Sequence, residues 1–260
     1  MPLTEEELQA NKCLRHLAII MDGNNRWAKQ NGQRGIAGHK AGIERLRDML
    51  DGCKDHEIDV LTVFAFSSEN WQRPPLEVKA LMSLFYDYLS REAKKLKKEN
   101  VRLRVIGRRD RFDKKLVKTI EKAERLTVDG SRTLVIAADY GGKWDMVNAA
   151  KNMAADMSAS NLSVDDITED TFNAYTSLAE FPPVDCLVRT GGEYRISNFL
   201  LWHAAYAELC FSDVLWPDFD KAELNKIVEE FSKRQRRFGM KSEQLEPELS
   251  SNSSENNTNA

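Results

Sequence analysis

Three stretches of the chain gather side chains that hold anions or cations. The first is Asp22-Gly23-Asn24-Asn25-Arg26, directly after the apolar run 17–21. A helix that opens there points free backbone N–H groups outward, and Arg26 adds a charge-assisted donor, so a phosphate suits the position. A carboxylate beside a phosphate repels it unless a cation lies between them. Asp22 is therefore a candidate ligand for Mg²⁺, which takes one or two carboxylates together with substrate phosphates. A simple helix cap explains Asp22 equally well at this level. The second stretch, Ser67-Ser68-Glu69-Asn70-Trp71-Gln72-Arg73-Pro74-Pro75, follows the apolar run 60–66. It reads as a mobile functional loop; a capped turn with Trp71 packed down is the alternative. The third, residues 189–198, carries Arg189, Gly191, Gly192, Arg195 and Ser197, the composition of a second phosphate cradle. Glu208 is a further candidate acidic metal ligand.

These groups sit at the ends of apolar runs, which suggests how they are positioned. Residues 17–21, 60–66, 101–106, 133–138, 185–189 and 209–211 read as six strands. Between them fall helical patterns that open at 39, 77, 110, 145, 170, 199 and 220. Strands alternating with helices predict an α/β fold: a single domain with a mostly parallel six-stranded sheet surrounded by helices. The polar stretches converge only if their strands lie side by side, with carboxyl ends on one edge. Residues 28–38, rich in Gly, Gln and basic side chains, read as a loop beside the first phosphate site. Residues 1–15 read as a polar lead-in, 16–239 as the domain, and 240–260 as a disordered acidic tail. The apolar stripe Val78, Leu81, Met82, Phe85, Tyr88 and Leu89 reads as core, or as the wall of a tunnel for an apolar ligand.

Composition removes several classes. The 260 residues carry a net charge of −3, which does not favour a nucleic-acid partner. The basic helix predicted over 110–125 lacks interleaved aromatics, so its lysines read as a solvated face. Cys13, Cys53, Cys186 and Cys210 form no CxxC pair and suggest reduced thiols in a cytoplasmic protein. No stretch reads as a signal peptide or a membrane span. Walker, dinucleotide, nucleophile-elbow and HExxH motifs are absent. Two anion sites, one cation and apolar walls together fit phosphorylated substrates with apolar bodies.

The motifs DGNNRWA (22–28), GHKAG (38–42), FAFSSENWQRP (64–74), RTGGEYRISNFLLW (189–202) and YAEL through LWPDF (206–219) resemble those of the cis-prenyltransferases, and most of all the bacterial undecaprenyl diphosphate synthases. That resemblance implies a Mg²⁺-dependent enzyme that condenses isopentenyl diphosphate onto farnesyl diphosphate with cis double bonds, to about C55. It also implies a homodimer with an apolar tunnel, in the cytoplasm, with a peripheral membrane contact at the tunnel mouth. By position, Asp22 would serve the metal and the diphosphates, and Glu208 the metal. Gly23, Asn24, Arg26 and His39 would hold the allylic diphosphate, and Trp27 would be a further substrate-binding residue. Arg189, Arg195 and Ser197 would hold isopentenyl diphosphate, and Asn70 would act near the proton that is lost. Ser67, Glu69, Trp71 and Arg73 belong to the loop after the second strand. Gly35 stands where the family usually has Arg, so Arg34 is the candidate substitute; Asp139 replaces a frequent Asn.

Overall fold

β1 (His16–Ile20) is buried along its whole length, as its unbroken apolar sequence requires. In the computed structural model, which describes residues 13–234, it lies inside a six-stranded sheet. The other strands are β2 (Val60–Ser67), β3 (Val101–Ile106), β4 (Arg132–Tyr140), β5 (Cys186–Arg189) and β6 (Glu208–Phe211). Their order is β3-β4-β2-β1-β5-β6, and every pairing is parallel. All carboxyl ends therefore face one edge, and the loops after β1, β2 and β5 meet there.

Side chains alternate between the two faces of the sheet. Leu17 and Ile19 join one core, roofed by α2 (Gly35–Asp55), α3 (Pro75–Lys98), α4 (Lys114–Leu126) and α7 (Lys221–Lys233). Ala18 and Ile20 join the other, with Tyr140, Leu187 and Phe199. The remaining helices are α1 (Asn24–Gln30), α5 (Gly142–Ser158) and α6 (Glu169–Ala174). Caps fix several starts: the Asp113 and Asp220 carboxylates accept from the Leu116 and Glu223 N–H groups. None of the described helices is long and apolar enough to cross a membrane.

Two expectations need correcting. The basic loop expected over 28–38 shrinks to 31–34, because α1 runs to Gln30 and α2 opens at Gly35 rather than His39. The glycines here let helices approach closely: a Cβ on Gly38 would lie 1.9 Å from the Asn24 carbonyl oxygen. The segment 199–207, expected as a helix, is a succession of turns. Ser197, Asn198 and Leu200 hold φ of 49°, 63° and 45°, a left-handed run that blocks α-helix entry. Residues 1–12 of the lead-in, the last residues of the domain from 235 and the tail 240–260 lie outside the described residues.

His16 has no exposed surface, donates from Nδ1 to the Pro182 carbonyl (2.8 Å) and accepts at Nε2 from the Thr62 hydroxyl (2.7 Å). Burial pushes its pKa down to about 4 from 6.5. Between those values the unfolded chain binds the proton that the folded chain refuses. This contribution is therefore complete above pH 6.5 and is lost as pH falls toward 4, costing about 3 kcal/mol at the acid end. The expected result is a thermal midpoint that drops through this window, with the drop reduced in His16→Gln; an unchanged acid limb in that variant would refute the assignment.

Candidate active site

The loop after β1 turns sharply at Gly23, whose φ is 107° and whose missing Cβ leaves room for Leu215. This turn lifts Asp22 above the sheet edge. Its Oδ1 accepts from the Gly23 N–H (2.6 Å) and lies 3.4 Å from Arg26; its Oδ2 accepts from Arg189 Nη2 (2.8 Å). Burial raises the Asp22 pKa, but Arg189, the Gly23 N–H and Arg26 outweigh it and hold the carboxyl below its usual range. Asp22 is thus an anion wedged between two cations, where further phosphates add a compatible charge.

Arg189 closes β5 and is 4% exposed. Besides Asp22 it donates to the Ser197 hydroxyl (2.8 Å) and the Arg195 carbonyl. These bonds tie the third polar stretch to the first. Thr190 adds a buried stitch: its hydroxyl accepts from the Asp22 N–H (3.0 Å) and donates to the Asp22 carbonyl (2.8 Å). The second stretch is a 3-10 turn (Ser68–Gln72) in which Ser67 and Asn70 cap each other, the Ser67 N–H donating to Asn70 Oδ1 at 3.1 Å. Trp71 packs down against Phe66 (5.3 Å between ring centres). The capped-turn alternative, with Trp71 packed down, describes the geometry of this segment.

A cavity of about 430 Å³ connects these groups. Asp22, Gly23, Asn24, Arg26, His39, Ser67, Asn70, Arg73, Arg189, Arg195 and Ser197 line its polar end. Leu46, Val63, Leu81, Met82, Phe85, Tyr88 and Ile136 line the rest, so part of the α3 stripe faces a cavity. Arg73 pairs with Glu77 at 3.2 Å. Burial, with Arg73 beside it, pushes the His39 pKa down to about 4, leaving a neutral imidazole near neutral pH. His39 Nε2, Arg189 Nε and Asn24 Oδ1 are buried and have no hydrogen-bond partner among the described residues. Buried polar atoms are rarely left so, and three on one cavity wall fit a polar ligand.

Five expected site residues lie off this wall. Trp27 turns away and donates from Nε1 to Asp218 (2.7 Å). Arg34 is exposed at the N-cap of α2, and Glu69 accepts from Asn198 Nδ2 (3.0 Å) at the rim. Trp71 supports the turn rather than lining the cavity. Glu208 begins β6, in register with Cys186 and thence with Leu17, and pairs with Arg234 at 2.8 Å. Asp22 lies five residues beyond Leu17, about 16 Å along the strand direction. Within the chain, then, Glu208 and Asp22 sit at opposite edges of the sheet. Among the described residues no group of three or more His, Cys, Asp or Glu could hold a metal ion. A cation at Asp22 would therefore draw most of its oxygens from its ligand, which is how Mg²⁺ binds beside phosphates. The sequence reading missed Thr190 and Asn198; the only signal was their place directly after Arg189 and Ser197.

Comparison with known proteins agrees with this architecture. The prenyltransferase family model for undecaprenyl diphosphate synthase matches residues 20–239. The chain is 50% identical over 245 residues to the farnesyl-diphosphate-specific ditrans,polycis-undecaprenyl-diphosphate synthase of Pseudomonas aeruginosa, covering 94% of this chain and 98% of that one. The Escherichia coli protein of the same name is 50% identical over 239 residues, covering 92% and 94%. Among solved structures, lavandulyl diphosphate synthase from Lavandula x intermedia, in complex with dimethylallyl diphosphate, superposes with a TM-score of 0.83 at 34% identity, covering 86% of this chain and 98% of that one. A probable undecaprenyl diphosphate synthase from Campylobacter jejuni gives 0.74 at 32%, covering 87% and 98%.

Proposed function

Since the chain belongs to the undecaprenyl diphosphate synthase family of prenyltransferases, we propose that it extends farnesyl diphosphate with isopentenyl diphosphate, through cis double bonds, to a polyprenyl diphosphate of about C55. The observation that carries this reading is one cavity with an arginine-rich mouth and an apolar interior. A phosphate-binding mouth serves the two diphosphates, and the interior receives the growing chain at about 0.8 kcal/mol per buried CH₂.

In each cycle the allylic C1–O bond breaks and C1 bonds to C4 of isopentenyl diphosphate. A proton leaves C2, and diphosphate departs. Asn24, Arg26 and His39 hold the allylic diphosphate, with the Gly23 backbone beside them. Arg189, Arg195 and Ser197 hold the isopentenyl diphosphate. Asp22 would hold Mg²⁺ together with substrate phosphates, and the ion would supply Lewis-acid relief of the charge on the departing diphosphate. The arginines offset that same charge in fixed positions. Asn70, fixed by its cap on Ser67, stands beside the proton that is lost. The apolar walls keep water from the electron-poor carbon. Catalysis is read as taking place in a cytoplasmic homodimer that meets the membrane only peripherally.

The deciding experiment is incorporation of radiolabelled isopentenyl diphosphate onto farnesyl diphosphate by the purified chain, with Mg²⁺ and with EDTA, followed by product sizing. Metal-dependent product near C55 is expected; no incorporation by folded protein would overturn the reading. His39→Ala is expected to lower kcat/KM for the allylic substrate about 10- to 100-fold, the worth of one hydrogen bond to a charged group, with little change for isopentenyl diphosphate. Equal loss for both substrates would move His39 out of the allylic site.

A further inference from the structure

The turn that carries Asn70 is held by groups outside the cavity. Asp139, near the end of β4, has no exposed surface and a left-handed φ of 52°. Its carboxylate accepts both ends of the Arg111 guanidinium, Nε at 2.8 Å and Nη2 on the other oxygen. The Arg111 guanidinium carbon in turn lies 5.2 Å from the centre of the Trp71 ring. Trp71 packs edge-on against Phe66 and lies 6.4 Å from Phe112. The turn after β3 is fastened to the same place. The Arg108 N–H donates to the Asp139 carbonyl (3.1 Å), and Gly107 leaves no room for a side chain against Ala138.

We propose that Asp139 and Arg111 form a clamp that positions Asn70 through Trp71, making Arg111 a positioning residue for prenyl transfer. A buried carboxylate needs a well-fitted cation, and only a planar guanidinium can meet it with two bonds while holding its charge over an indole ring. Asp139 fixes Arg111, Arg111 fixes the Trp71 ring, and Trp71 is covalently next to Asn70. Ser67, the cap partner of Asn70, pairs across the sheet with Tyr140, the neighbour of Asp139. The turn is therefore located from both ends by the same corner of β4. This proposal rests on the role given above to Asn70.

The test compares Arg111→Lys, the double variant Arg111→Met/Asp139→Asn, and Asn70→Ala in the full chain. Lysine keeps the charge beside Asp139 but loses the two-bond fork and the guanidinium over the indole. The double variant removes both charges, so no lone buried carboxylate is left to unfold the protein. Each is assayed for kcat and for KM of both diphosphates. Fluorotryptophan ¹⁹F resonances report the Trp71 environment, assigned with Trp71→Phe. Arg111→Lys and the double variant are expected to lower kcat about 10- to 100-fold, the cost of displacing a reacting group by about 1 Å. Both KM values should stay within about threefold, and the Trp71 resonance should shift. Full turnover in the two clamp variants with Asn70→Ala inactive would overturn the clamp alone. Full turnover in Asn70→Ala would overturn the role of Asn70, and with it the purpose of the clamp. A loss of kcat with an unmoved Trp71 resonance would refute the link through the indole.

Discussion

Asp22→Ala is expected to lower turnover by at least about 1,000-fold, at the upper end of what removing one preorganised electrostatic group costs. Two separate functions end together. Asp22 is the one carboxylate that lines the cavity among the described residues, so a cation there would lose its carboxylate ligand. Arg189 also loses an acceptor at 2.8 Å while remaining 4% exposed. Its Nε already has no partner, so the guanidinium would keep only the Ser197 hydroxyl and the Arg195 carbonyl. Stability should fall by about 1–3 kcal/mol, the usual range for an orphaned buried polar group. The fold itself rests on the two cores and should persist. Single-turnover incorporation of label, alongside circular dichroism and a melting curve, separates these effects. Near-normal turnover in the folded variant would remove Asp22 from the reaction.

The second large effect comes from a residue with no chemistry. Gly38→Ala adds one methyl group, which would sit 1.9 Å from the Asn24 carbonyl oxygen and 3.3 Å from its Cα. The obstacle is backbone, so no side-chain rotation relieves it. Helices α1 and α2 must move apart, and Asn24 and Arg26 move with α1. A destabilisation of about 3 kcal/mol is expected, the high end for overpacking. With it, kcat/KM for the allylic substrate should fall about 100-fold, since the groups proposed to hold its diphosphate leave their places. Chemical denaturation with steady-state kinetics checks both. Wild-type values would mean that the two helices separate at no cost.

These residues also show what can be read from a sequence. The parallel sheet was legible because buried strands leave continuous apolar runs, and residues 17–21 and 60–66 have no other simple explanation. The convergence of Asp22, Asn70 and Arg189 followed from one rule about the carboxyl ends of parallel strands. Composition misled where glycine does two jobs. Residues 28–38 look like a loop by Gly content, yet Gly38 is there because two helices touch. The 199–207 segment looks helical by its apolar residues, yet three left-handed backbones precede or enter it, and no side-chain pattern announces them. Glu208 was placed by its motif, whereas its position depends on where β6 enters the sheet, a fact of register. The clamp on Trp71 was invisible because Arg111 and Asp139 come from different strand ends, and their meeting needs β3 and β4 to be neighbours.

The position of β1 in the sheet has a consequence for how the molecule comes into being. β1 pairs with β2, 44 residues on, and also with β5, whose Cys186 stands beside Leu17. The Asp22–Arg189 bond spans 167 residues. Closing so long a loop is entropically slow, and parallel pairing gives no local hairpin to start from. During synthesis β1 emerges before the other strands and waits with one open side until β5, in the last third of the chain, arrives. Strands β1 to β4 can assemble earlier with α2 to α4, but they hold only half of the anion-binding cluster. The nascent chain is thus catalytically silent until β5 docks. Its slowest folding phase should then coincide with the gain of diphosphate binding, not with the formation of helix.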